Sequence, residues 1–163
     1  MELTGGTPAG GVYSGPGVTD DGNGMTYTFD PMVAGVGVHT ITYMFVDING
    51  CTTTAMDDVE VFDVPTVSFM ALDDLCINEG IQTGLSGGTP TGGVYSGIGV
   101  TDDGNGMTYS FDPTVGGAGV YTLTYTFTDM NGCANSVSDD VEVFGLSIVE
   151  FTALADLCID AGV

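Results

Sequence analysis

The chain has no lysine and no arginine, and only one histidine, in 163 residues. Against these stand 22 acidic residues, for a formal net charge of -22. Side-chain ion pairs are therefore nearly excluded, and the repulsion must be met by solvent, salt or bound cations. Nucleic acid and anionic membrane surfaces are poor partners for such a surface, and no nucleic acid is expected, because binding phosphates depends on Lys and Arg displacing counterions. Long apolar runs are also missing. None approaches the roughly 18 to 20 residues that cross a bilayer, so no membrane insertion is expected. Met1-Glu2-Leu3-Thr4 lacks the basic stretch of a signal peptide, so any export signal is expected outside this sequence. No Asn-x-Ser/Thr acceptor occurs, which leaves O-linked sugars on threonine as the glycosylation to test.

Proline is scarce at 6 residues while glycine reaches 27, without the three-residue period of collagen. Hydrophobic residues make up 43% of the chain and the acids are spread in pairs, so a packed core is expected rather than a disordered acidic tail. The abundance of Thr, Val, Tyr and Phe favours strands joined by tight turns.

The chain repeats itself. Shifted by 82 positions it aligns without a gap, with 52 of 81 pairs identical. Leu3-Thr4-Gly5-Gly6-Thr7-Pro8 returns as Leu85-Ser86-Gly87-Gly88-Thr89-Pro90, and Gly10 to Tyr27 returns as Gly92 to Tyr109 with only Pro16 changed, to Ile98. A unit this long suits an array of β-sandwiches better than a solenoid. Val120 to Thr128 alternates Tyr121, Leu123, Tyr125 and Phe127 with threonines, the pattern of a half-buried antiparallel strand. Asn131-Gly132 then signals a hairpin into a strand ending Val141-Glu142-Val143. Further strands are expected at Gly11 to Tyr13, Thr26 to Phe29 and Val67 to Leu72, with their copies.

The motifs Leu-Thr-Gly-Gly-Thr-Pro-x-Gly-Gly-x-Tyr-Ser-Gly, Phe-Asp-Pro and Asp-x-Asn-Gly-Cys resemble those of the Ig-like repeats of giant Bacteroidota surface proteins, including the gliding-motility adhesin type. The resemblance covers essentially the whole chain. It implies an all-β fold of tandem immunoglobulin-like antiparallel sandwiches, secretion to the cell surface, array formation, adhesion or filament building, and no catalytic residues.

On this reading 64–144 is a complete sandwich, 1–63 is a sandwich lacking its first strand, and 145–163 is the first strand of the next domain. An open sandwich edge exposes core and unpaired backbone, so something must fill it. Two fillers stand: a preceding part of one continuous chain, or the tail of a neighbouring subunit added by strand donation. The length, two periods less one, matches the repeating unit of a long polymer. Expected assembly residues are Met32, Met44, Val46 and Met56, which the second repeat replaces by Thr114, Thr126, Thr128 and Ser138, together with Val149, Phe151 and Leu154 of the tail. Drift between copies is the alternative for the first four.

Four cysteines in two repeat-related pairs suggest an oxidising compartment and one bridge per sandwich. The expected pair is Cys76 with Cys133, ahead of Cys51 with Cys76. Cys51 and Cys158 then bridge to equivalent partners across a junction. Asp20, Asp21 and Asn23, with their copies Asp102, Asp103 and Asn105, form an oxygen-rich loop that suits either calcium or simply a tight turn. The remaining acidic pairs read as solvated strand edges. Gly5 to Gly11 has neither the lysine nor the helix of a phosphate cradle and reads as a turn. His39 falls where the other repeat has Tyr121, so it reads as a core or rim residue rather than a catalytic one. The function expected is an extracellular structural module partnered by copies of itself, and no enzyme. The alternative is a binding module for a glycan or host surface, which predicts exposed aromatics where a scaffold predicts Tyr13, Tyr27 and their copies buried.

Overall fold

The structure, a computed structural model, describes residues 2–153. It is an all-β protein whose chain divides into two compact units that part between Pro65 and Thr66, except that Asp129–Cys133 group with the first. In the first unit the strands are β1 (Glu2–Leu3), β2 (Val12–Ser14), β3 (Val18–Asp20), β4 (Tyr27–Phe29), β5 (Gly37–Val46) and β6 (Thr52–Val61), with a single helical turn, α1 (Pro31–Ala34), before β5. They form two sheets, ordered β1-β4-β3 and β2-β5-β6. Asp30 starts α1 by accepting the Met32 N–H at 2.9 Å, and Pro31 follows at a position where no N–H is needed.

The second unit repeats the layout and extends it. Its strands are β7 (Leu75–Cys76), β8 (Gln82–Leu85), β9 (Val94–Ser96), β10 (Val100–Asp102), β11 (Tyr109–Phe111), β12 (Gly119–Thr128) and β13 (Ala134–Phe144). The sheets run β10-β11-β8 and β7-β13-β12-β9. Every strand pair is antiparallel except β7 with β13, where Leu75 lies beside Val143 and Cys76 beside Phe144.

The long hairpins β5–β6 and β12–β13 carry each unit, and their registers match residue for residue. On β12, Leu123 and Tyr125 are buried and Tyr121 and Phe127 half-buried, so the alternating stripe faces the core as its period of two requires. At the tips, Asp47 and Asp129 each accept the N–H groups of the asparagine and cysteine that follow, at 2.8 to 2.9 Å, and Gly50 and Gly132 take the positive φ of 84° that closes the loop. At Asp47 the Cys51 N–H contributes most to holding the carboxyl below the usual aspartate value.

The core of the second unit is one cluster drawn from both of its sheets: Leu75, Tyr95, Tyr109, Phe111, Leu123, Tyr125, Val141 and Val143. Val67, Phe69, Ala71, Leu72 and Ile77 pack against it.

Two expectations need correction. Val67 to Leu72 is not a strand, since its one ladder contact is the bridge of Ser68 to Thr89. Ala71 instead donates its N–H to the Asp139 carboxylate, at 3.1 Å, so a side chain replaces the ladder there. The Cys76–Cys133 bridge is also absent, and Cys51, Cys76 and Cys133 are all free thiols. Cys76 lies beside Phe144 at one end of β13, whereas Cys133 precedes Ala134 at the other. Eleven residues of strand separate the two ends by on the order of 30 Å, far beyond the roughly 7 Å that a disulfide allows between Cα atoms. Cys158 lies outside the described residues, as does Leu154.

Candidate functional site

Each unit builds the same scaffold around three tyrosines. Tyr43 donates to the Pro8 carbonyl and accepts the Gly11 N–H at 2.8 Å, and Tyr125 does the same with Pro90 and Gly93. The glycine-rich loops are thus pinned to a ring that leaves no room for a side chain. A Cβ on Gly11 would sit 2.3 Å from the Tyr43 ring, and one on Gly93 2.4 Å from that of Tyr125. Tyr13 and Tyr95 stack on Tyr27 and Tyr109 with centroids 4.4 and 4.5 Å apart.

In the loops expected either to bind calcium or to turn, the side chains hydrogen-bond within the loop. Asp20 accepts the N–H groups of Tyr13 (2.7 Å) and Gly22 (2.8 Å), Asn23 accepts those of Met25 and Thr26, and Asp21 accepts the Thr26 hydroxyl. Asp102, Asn105 and Asp103 repeat all of these bonds in the second unit. These bonds are the ones by which Asp and Asn side chains close a tight turn. Among the described residues no group of three or more His, Cys, Asp or Glu is placed to hold a metal.

His39 is half-buried. Its Nε2 bonds the Gly35 carbonyl at 2.7 Å, as the Tyr121 hydroxyl bonds that of Gly117. Met44, Val46 and Met56 are exposed on the outer face of β2-β5-β6, with Val12 opposite Met44, whereas Met32 stands exposed on α1, off that sheet. The second unit's Thr124 and Ser138 make a 2.8 Å hydrogen bond on the corresponding face.

The units differ in what lies over the tyrosines. In the second, Phe69 sits 5.7 Å from Tyr95, 6.2 Å from Tyr109 and 6.3 Å from Tyr125, measured between ring centroids. In the first, the corresponding place is an open groove of about 400 Å³, lined by Tyr13, Tyr27, Phe29, Ile41, Tyr43 and Val59. The second unit also fixes its closing segment with two carboxylates that the sequence had assigned to solvated edges. Asp139 takes the Ala71 N–H, and Asp74 takes the Glu142 N–H at 2.8 Å. Asp57, the counterpart of Asp139, lines the groove.

In the tail, Ile148, Val149 and Phe151 are highly exposed. The groove and this tail are the chemically informative features of the chain: an apolar, tyrosine-floored slot beside an unpaired strand edge, suited to an extended segment carrying an aromatic side chain. No protein-family model matches the chain, and no curated protein matches it either.

Proposed function

We propose that the chain is a structural repeat module of an extracellular fibre, pilus-like filament or adhesin stalk, made of immunoglobulin-like sandwiches arrayed head to tail. The observation that supports this most strongly is the equivalence of the two units. Their hairpin registers, tyrosine bonds and turn bonds recur one repeat apart, while the closing segment of the second unit comes from the start of its own repeat. A module so arranged is extended by adding copies. The acidic surface supports the reading as well, because like charge keeps neighbouring fibres apart.

The alternative, a module binding glycan or a host surface, called for exposed aromatics clustered at one end of each sandwich, whereas the scaffold called for Tyr13, Tyr27 and their copies to be buried. Tyr13, Tyr95 and Tyr109 are buried and Tyr27 is half-buried, which favours the scaffold. The test is immunogold labelling of intact source cells with an antibody to this chain. Labelled fibres or stalks outside the cell are expected. Label confined to the interior would refute the proposal, and label on isolated globular particles would favour the binding module.

A further inference from the structure

We propose that the groove of the first unit is the docking site for residues 148–159 of a second copy of this chain, held as 66–77 are held in the second unit. This rests on the fibre reading and names its partner. The two segments are related by the repeat, and their differences are selective. The residues that pack on the core, Val67, Phe69, Ala71, Leu72, Leu75 and Ile77, are all retained, as Val149, Phe151, Ala153, Leu154, Leu157 and Ile159. The changes within 66–75, Thr66 to Ile148, Ser68 to Glu150, Met70 to Thr152 and Asp73 to Ala155, fall at exposed positions. The tail thus keeps the inward face of a closing segment, and in this chain its Val149 and Phe151 are 87% and 89% exposed.

The second unit supplies the register. The Ser68–Thr89 bridge places the donor's Glu150 opposite Thr7. The bond of Ala71 to Asp139 becomes one from the donor's Ala153 N–H to Asp57, and that of Glu142 to Asp74 becomes one from the Glu60 N–H to the donor's Asp156. Leu157 then lies beside Val61, as Leu75 lies beside Val143. The donor's Phe151 enters between Tyr13, Tyr27 and Tyr43, as Phe69 does among their counterparts. Each chain offers one groove and one tail, so the contact is heterologous and propagates. The register also sets the donor's Cys158 beside Phe62, at the far end of β6 from Cys51. The expected Cys51–Cys158 bridge is thereby ruled out at this junction. Because donor and acceptor are both acidic, added salt strengthens docking.

The test is sedimentation velocity of the full chain over a concentration series at physiological salt, beside Phe151→Asp, whose groove is intact. The second experiment is binding of a fluorescent peptide of residues 147–159, with serine for Cys158, to that variant. The proposal expects wild-type mass to rise with concentration through multiples of 16.6 kDa. It expects Phe151→Asp to stay monomeric, to bind the peptide, and to shorten wild-type assemblies when mixed in. A variant that assembles like wild type would overturn it. Wild type that stays monomeric while the variant binds peptide would also overturn it, showing that the groove takes a segment of its own polypeptide and leaving the fibre reading standing. Absence of both assembly and peptide binding would overturn the docking site and remove the groove as support for the fibre.

Discussion

Tyr109, Phe111, Leu123, Val141 and Val143 in the second unit are at most 1% exposed, while Tyr27, Phe29, Ile41, Val59 and Val61, one repeat earlier, are half-buried. The hairpins carrying the last three of each set have the same register, and the loops around them the same hydrogen bonds. What the second unit has in addition is its closing segment. Local structure is therefore written into each repeat body through strand alternation, tyrosine bonds and Asp-Asn-Gly turns, whereas burial depends on a piece of chain that the body does not contain. Losing up to about a third of the burial of five such side chains forfeits on the order of 2 kcal/mol, an appreciable part of a small domain's stability.

The largest effect that sharpens this contrast is expected from Phe69→Ala. It should destabilise the second unit by about 3 kcal/mol, while Phe151→Ala leaves both units of the monomeric chain unchanged. Denaturant unfolding followed by near-ultraviolet circular dichroism reads both. Next comes Asp139→Ala, which leaves the Ala71 N–H without its acceptor and should cost about 1 kcal/mol. The matching Asp57→Ala should cost less, because no closing segment donates to it in the lone chain.

A pH series tests the buried rings. Burial raises the Tyr95 and Tyr109 phenols above the ordinary value of 10.0. Their neutral forms thus stabilise the fold fully below the unfolded value, and that contribution is lost as pH rises through the folded one. The denaturant midpoint of the second unit should accordingly hold up to about pH 9 and fall beyond pH 10, with tyrosine ionisation read at the same time by absorbance. The smallest effect is the one expected of calcium. Adding it or chelating it should leave the melting temperature unchanged, while Asp20→Ala and Asp102→Ala each cost about 1 kcal/mol through lost turn bonds.

Much of this was legible because it is local. The stripe of Tyr121, Leu123, Tyr125 and Phe127, the Asn-Gly hairpin tips and the glycine-rich turns all follow from short-range patterns, and so does the repeat that relates the units. Relations along and across strands were not legible. Cys76 and Cys133 looked like a pair because both fall within the stretch 64–144 read as one sandwich, but only the parallel register of β7 on β13 reveals that they stand at opposite ends. Val67 to Leu72 alternates like a strand, yet its partners are one bridge and a carboxylate. Asp139 and Asp74 resembled ordinary surface acids, and nothing in their spacing said that each would take a backbone N–H from the other side of the closing contact. The repeat also shows that Val149, Phe151 and Leu154 keep the residue types of Val67, Phe69 and Leu72.

A first unit that is folded but unfilled should reveal itself in amide hydrogen exchange of the monomeric chain. At low concentration the amides of Ile41 and Tyr43 should exchange well ahead of those of Leu123 and Tyr125, and the 147–159 peptide should slow them to match. Equal protection in the two units without peptide, or no slowing on its addition, would mean that the first unit has no unfilled groove.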